Sequence, residues 1–246
     1  MMMILDDSPQ PENSKDIIAS FPYYNIPAPC PYGLDKTAVY RQNYFVGLED
    51  ELFAAFLDSG FRRNGNTMYC MACRDCRACL PIRLNPDELR LNRNQRRTWK
   101  KNSDLDIDIS PLQATSEKLA LCEKFFSYRY PVKDNSAISY YTGFFMNNTT
   151  STFELNYRYQ EQLLGVAIVD IGAGFLNGVY FYFDPDAGKR SLGTYNILYL
   201  NKFCQENKIN RFYLGFLLKE VKAMRYKQNF KPHYLLIDDK WQRFPR

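Results

Sequence analysis

The chain reads as an α+β protein in two parts: a cysteine-rich, metal-stapled unit over residues 1–101 and a mixed sheet with helical crossovers over residues 102–246. Three observations predict this. Cys70, Cys73, Cys76 and Cys79 recur at every third position, a spacing useless to a packed core but suited to a knuckle of backbone around zinc or a small iron–sulfur cluster. After residue 151, β-rich runs and helical patterns follow as strand, loop, helix, strand, helix, strand, the order of a mixed sheet crossed by helices. With 246 residues, 46% of them hydrophobic, the chain can bury a full core.

The N-terminal stretch carries Asp6, Asp7, Glu12 and Asp16 and no apolar run of signal-peptide length, and no membrane span follows. The expected compartment is the cytoplasm, where seven cysteines point to reduced thiols and metal rather than disulfides. One short peptide reaches all four corners of a tetrahedron only with strain, so a distant thiol is expected, and Cys30 in Pro29-Cys30-Pro31-Tyr32 is its best candidate. The alternative reading makes these thiols small buried hydrophobes or disulfide partners. Cys122 and Cys204 sit in apolar helical patterns and read as core thiols.

The elements follow in order. Residues 48–59 form an amphipathic helix with Leu48, Leu52, Phe53, Phe56 and Leu57 on one side, stopped by Gly60. Residues 61–69 read as two short strands about an Asn64-Gly65 turn, which leads into the cysteine knuckle. Residues 80–84 read as a strand. From Arg90 to Lys101 come six cations and no acid; in a helix Arg93, Arg97, Lys100 and Lys101 share a face, and Arg96 lies beside it. Such like-charge density suits a polyanion, with a solvated basic face as the bland alternative. Residues 116–130 form a helix and 139–146 a shorter aromatic segment; 151–160, 163–171 and 178–183 are strands. A loop at 189–193 precedes a helix over 194–206, a strand over 211–216, a helix near 219–228 and a strand over 234–237.

Arg190-Ser191-Leu192-Gly193-Thr194-Tyr195 is similar to the loop by which N-acetyltransferases hold a pyrophosphate on backbone amides before a helix, and the element order fits an N-acetyltransferase-like fold. Tyr195 stands where that loop ends in a small residue. Its bulk argues against coenzyme A and for another acyl donor.

Several segments together resemble the aminoacyl-tRNA-protein transferases. They are Cys30-Pro31-Tyr32, Gly60-Phe61-Arg62-Arg63-Asn64-Gly65, the knuckle running into Pro81-Ile82-Arg83, Asn94-Gln95-Arg96-Arg97, Phe183-Asp184-Pro185, Arg190-Ser191-Leu192-Gly193, Tyr213-Leu214-Gly215-Phe216 and Met224-Arg225-Tyr226-Lys227. Within that family the resemblance is greatest to the bacterial aspartate/glutamate leucyltransferases, relatives of the eukaryotic arginyltransferases, and it spans about residues 30–241. Cys70 stands where the family usually has a basic residue. The second cysteine that follows the first in eukaryotic relatives is absent, which favours Cys73, Cys76 and Cys79 with Cys30 as the metal ligands.

The resemblance implies transfer of leucine from leucyl-tRNA to the α-amine of proteins beginning with Asp or Glu, marking them for N-degron degradation. Arg93, Arg96, Arg97, Lys100 and Lys101 would then carry the tRNA acceptor stem. Aminolysis of the ester needs groups that position the amine, take its proton and stabilise the oxyanion. Asp184 and Asp170, at strand ends, are the expected carboxylates, with loop capping before Pro185 as the alternative for Asp184. Arg190, Lys227 and Tyr226 are expected to grip the acidic side chain or the terminal nucleotide. Tyr195 and Tyr213 lie in the aromatic and aliphatic segments expected to line the cleft, which favour leucine over arginine as donor. His233, the only histidine, reads as structural. A coenzyme A-dependent acetyltransferase and a zinc-stapled RNA-binding protein without catalysis are the other classes compatible with the sequence.

Overall fold

The computed structural model describes residues 12–130 and 136–245. In chain order the elements are α1 (Glu12–Ser20), β1 (Tyr24–Pro29), β2 (Thr37–Tyr44), α2 (Asp50–Asp58), β3 (Arg62–Asn64), β4 (Thr67–Met71), β5 (Leu80–Leu84), α3 (Arg93–Lys101), β6 (Asp106–Pro111), α4 (Ser116–Arg129) and α5 (Ala137–Tyr140). They continue as β7 (Thr152–Tyr159), β8 (Gln162–Gly172), β9 (Phe175–Phe183), α6 (Leu192–Glu206), β10 (Arg211–Leu217), α7 (Lys222–Arg225), β11 (His233–Ile237) and β12 (Lys240–Phe244). None of the described helices is long and apolar enough to cross a membrane.

Two sheets form. The smaller is antiparallel, in the order β1-β2-β4-β3; the larger has eight strands in the order β12-β11-β5-β10-β9-β8-β7-β6. Only β9 and β10 pair in parallel among the described strands, and α6 makes the crossover between them, as a parallel pair requires. On β8, Ala167 and Val169 face a core shared with Leu198, Leu200 and Phe212 on the α6 side. Val166 and Ile168 face the opposite core, with Cys122, Phe126, Tyr141 and Tyr182 on the α4 and α5 side. Period-two alternation thus lets one strand serve two layers. Cys122 and Cys204 are fully buried, the core thiols expected.

Several sequence expectations shift in detail. Gly60 follows α2 at φ +87, where a side chain would also meet Leu236. The β3–β4 turn centres on Gly65 and Asn66, one residue later than expected, because Gly65 supplies the positive φ at the first central position. The helix expected near 219–228 reduces to the one-turn α7 and a 3₁₀ turn, Tyr226–Asn229. Strand β5, read as part of the N-terminal unit, lies between β10 and β11 in the larger sheet. Buried Asp58 helps hold it there, accepting hydrogen bonds from Arg83 at 2.6 Å, Arg211 at 2.7 Å and the Tyr213 hydroxyl.

Candidate active site

Strands β9 and β10 part. Their parallel register covers Arg211↔Phe175, Phe212↔Leu176 and Tyr213↔Asn177, and stops. Beyond it β9 remains paired with β8, while β10 shifts register against β5 between Tyr213 and Phe216, with Gly215 at φ +83. The gap opens into a cavity of about 1590 Å³, bounded by both strands, the smaller sheet, α4, α5, the first turn of α6 and residues 221–227.

Its charge is one-sided. Arg62, Arg63, Arg129, Lys222 and Lys227 line it, and among the described residues no Asp or Glu does. Arg63 is neutralised from below: Asp170 accepts from its Nε at 2.9 Å and its Nη2 at 2.8 Å, and both side chains are fully buried. Arg62 donates to the carbonyls of Leu57, Phe61 and Gly215 and lies 5.4 Å from the Phe216 ring centre. Its Nε has no partner among the described residues, and burial lowers its pKa to about 10. Lys227 Nζ donates to the carbonyls of Leu214 at 2.7 Å and Phe216 at 2.9 Å, and burial, then Arg62, pull its pKa down to about 7.

The structure distributes the sequence-predicted residues unevenly. Lys227 and Tyr226 line the cavity, and burial pushes the Tyr226 hydroxyl up to about 12. Asp170 lies beneath it with both oxygens taken, since Thr152 and Asn177 donate to them as well as Arg63. Asp184 caps the 3₁₀ turn Pro185–Arg190 by accepting from the Asp186 N–H, and it pairs with Lys124 at 2.6 Å. That is the loop-capping alternative, and Asp184 does not line the cavity. Arg190 is held by exposed Asp104 in two bonds, at 2.8 and 3.0 Å. Tyr213 is a core residue bonded to Asp58.

Tyr195 requires a correction. Its ring packs against Trp99 of α3 and Tyr157 of β7, at 5.6 and 6.2 Å, because α6 starts at Leu192 and turns this position away from the cavity. Ser191, Leu192, Gly193 and Thr194 line the cavity instead, and space beside Gly193 is open. The bulk of Tyr195 therefore obstructs nothing, and the argument it gave against coenzyme A falls. Arg62 and Arg63 are the site residues that sequence reasoning did not single out; adjacent arginines in a short strand, within one of the segments that carry the family resemblance, were their signal.

Helix α3 begins with a capping box between Asn92 and Gln95, each bond 2.9 Å, and Trp99 and Gln95 face inward. Arg93, Arg96, Arg97, Lys100 and Lys101 are exposed and make no ion pair among the described residues. A second hollow of about 360 Å³ lies at the helix start, lined by Arg90, Arg93, Arg96 and Lys231 with Asn229. Gln95 donates to the Asn229 carbonyl at 3.2 Å, so the segment that carries Lys227 into the cavity also borders this hollow.

Among the described residues no group of three or more His, Cys, Asp or Glu side chains is arranged to hold a metal ion. The thiols are nonetheless neighbours. Burial first, then Cys73, Cys30 and Cys76, push the Cys79 thiol up to about 12, whereas Cys70 faces Arg41 and Asp239. The Val39 N–H donates to Cys73 Sγ at 3.4 Å. In donor chemistry thiols suit a soft metal, and Cys79 has Cys30, Cys73 and Cys76 within electrostatic range. His233 is buried, stacked on Phe244 and bonded to the Phe230 carbonyl, and burial lowers its pKa to about 4.

Two family models match the chain: "Arginine-tRNA-protein transferase, N terminus" over residues 28–97 and "Arginine-tRNA-protein transferase, C terminus" over residues 117–237. The aspartate/glutamate leucyltransferase of Hahella chejuensis is 32% identical over 226 residues, 89% of this chain and 95% of that one. That of Nitrosococcus oceani is 36% identical over 226 residues, 89% and 94% of the two chains. In fold, the crystal structure of FemX is similar at a TM-score of 0.51 with 10% identity, over 95% of this chain and 90% of that one. The chain belongs to the arginine-tRNA-protein transferase family, among relatives that are aspartate/glutamate leucyltransferases.

Proposed function

We propose that this protein transfers leucine from leucyl-tRNA to the α-amine of proteins that begin with Asp or Glu, and does so in the cytoplasm. The observation that carries the reading is the cavity where β9 and β10 part, lined by cations and, among the described residues, by no acid. A donated arginine would bury its guanidinium there without a carboxylate, whereas leucine needs only apolar wall, which Phe144, Val179 and Phe181 provide. The acidic side chain of the acceptor meets the cationic lining, of which Arg62 is a part.

The ester of an aminoacyl-tRNA is already activated, so no coenzyme A is needed for aminolysis. Ser191, Leu192, Gly193 and Thr194 bring the start of α6 to the cavity wall, and a helix start suits the phosphate of a terminal nucleotide. Arg93, Arg96, Arg97, Lys100 and Lys101, with Lys231 at the adjoining hollow, carry the acceptor stem. Residues 1–101 thus supply mainly RNA and metal contacts and residues 102–246 mainly the transfer site, inside an N-acetyltransferase-like sheet. Cys30, Cys73, Cys76 and Cys79 would hold zinc or an iron–sulfur cluster as a structural staple. Asp170 acts through Arg63 and Asp184 through its loop, both as positioning residues, and Tyr226 offers a protonated hydroxyl beside the substrate.

Incubation with radiolabelled leucyl- or arginyl-tRNA and peptides beginning Asp, Glu, Lys or Ala tests this reading. Label should pass from leucyl-tRNA to the Asp and Glu peptides. Transfer of arginine but not leucine would overturn the donor assignment, and equal use of Ala peptides the acceptor assignment.

A further inference from the structure

Aminolysis requires a group that takes a proton from the attacking amine, and neither aspartate expected for that task reaches the cavity. Asp170 has both oxygens engaged below Arg63, and Asp184 is bonded to Lys124 and its own loop. The Tyr226 hydroxyl keeps its proton, so it donates rather than accepts. We infer that Lys227 is the proton acceptor of the transfer step, its Nζ tethered by the Leu214 and Phe216 carbonyls at the point where β10 leaves β9. The inference rests on the aminoacyl-transfer reading above and adds the group that moves the proton.

Three observations support it. The two carbonyls flank Gly215, whose φ of +83 kinks the strand, and a Cβ there would lie 3.7 Å from Lys227 Nζ. Two of the amine's valences point at those oxygens. Lys227 lines the cavity, so its remaining valence, a lone pair in the neutral form, is available to a substrate there. The second observation is the surroundings: the charged groups lining the cavity are Arg62 of β3, Arg63 bound to Asp170, Arg129 of α4 and Lys222 of α7. The titratable neighbours on the smaller-sheet side, Tyr32, Tyr40 and Tyr69, are held neutral by burial. Among the described residues nothing negative that lines the cavity steadies an ammonium on Lys227. The third is the match in proton affinity: burial and Arg62 bring Lys227 to about 7, close to an α-amine near 7.7–8. A base poised near the working pH exchanges protons with such an amine at little cost.

The step balances. The acceptor's α-nitrogen forms a bond to the leucyl carbonyl carbon and gives one proton to Lys227 Nζ. The carbon–oxygen bond to the ribose breaks, and the ribose oxygen takes that proton back from the lysine ammonium. Leucyl peptide, free tRNA hydroxyl and neutral Lys227 result.

Single-turnover transfer from leucyl-tRNA to a saturating Asp-starting peptide, followed in the full chain from about pH 6 to about pH 9, tests the assignment. The wild-type rate should rise from about pH 7 and level off only when both Lys227 and the acceptor's α-amine are neutral. With an acceptor whose α-amine has a pKa well below that of Lys227, so that its own ionisation drops out, a limb near 7 should remain. K227R and K227M should each lose on the order of 100-fold in rate while leucyl-tRNA and peptide binding persist. A K227R variant with near-wild-type rate would make Lys227 a cationic anchor and overturn the inference. So would a rate that falls above about pH 7, or the loss of the limb near 7 with the low-pKa acceptor. If neither variant folds, the two wild-type pH profiles decide alone. Failure of the underlying reading is a separate outcome, no leucine transfer by the wild type at any pH.

Discussion

Among the described residues the cavity and the outer face of α3 both collect cations without acids, and the difference between them is water. On α3 five exposed side chains are solvated and screened, so their mutual repulsion costs little until a polyanion arrives. In the cavity Arg129 and Lys222 stay exposed, but the three inner charges are desolvated and each has a specific answer: Arg63 is paired with Asp170, Arg62 spends donors on three carbonyls, and Lys227 lowers its proton affinity. The same residue types thus make a polyanion surface outside and a chemical site inside. Substitutions should separate the two regions by size of effect.

The largest expected effect is at the buried pair. Arg63→Met or Asp170→Asn leaves a charge or its partner stranded at zero exposure and should cost about 3–5 kcal/mol in urea unfolding. The double change should cost clearly less than the sum. Additive losses would mean that the two side chains do not stabilise each other.

Next come the thiols. Replacing Cys73, Cys76 or Cys79 by Ser should empty the metal site and lower stability by a similar order, since structural metal binding is folding free energy. Cys70→Ser should keep the metal, because Cys70 faces Arg41 and Asp239 rather than the other thiols. Metal analysis on the purified variants checks both, and full occupancy in the Cys76 variant would remove it from the ligand set.

Arg62→Met should raise KM for Asp- and Glu-starting peptides by about 1.5–3 kcal/mol worth of binding, the range for a hydrogen bond to a charged group. Leucyl-tRNA binding should change far less. Equal losses for tRNA and peptide in separate binding measurements would place Arg62 in general support of the cavity instead. Outside, charge reversal at Arg96 and Arg97 should weaken tRNA binding and reduce the slope of log affinity against log salt by roughly 0.7 to 0.9 per lost phosphate contact. An unchanged slope would leave α3 a solvated face.

How much of this was legible in the sequence differs between the same two regions. Helix α3 was, because its signal is local: six cations from Arg90 to Lys101 without an acid, spaced to share a face. The long strands β7, β8 and β9 and helices α4 and α6 were found for the same reason. The cavity was not. It exists where β10 (Arg211–Leu217) leaves β9 while staying paired with the sequence-distant β5 (Leu80–Leu84), and no window of sequence contains that pairing. Strand β1 escaped notice because nearly every residue is exposed and Pro27 and Pro29 read as loop, the usual dress of an edge strand. Strand β12 hid behind a hairpin turn of Asp238 and Asp239, both at positive φ. Asp170 and Asp184 looked catalytic because strand ends are where function gathers; their hydrogen bonds, invisible in one dimension, give them structural work.

The smallest effect should be at Arg190, although its place in the loop before α6 made it an attractive substrate contact. Its guanidinium is already spent: two bonds to Asp104, a third at 3.4 Å to the Lys101 carbonyl, and a seat 4.6 Å from the Tyr159 ring centre. Asp104 raises the Arg190 pKa and is itself lowered, but Asp104 is exposed, so water screens the pair and its net worth is about 0–1 kcal/mol. Because Arg190 does not line the cavity, Arg190→Ala should leave kcat/KM for Asp-starting peptides within about twofold, a change near 0.4 kcal/mol. A tenfold loss confined to acidic peptides, with tRNA binding intact, would show that substrate binding breaks the Asp104 pair and swings Arg190 into the cavity. It would also move the boundary between the two regions, since a residue now counted with the screened outer charges would belong to the desolvated inner set.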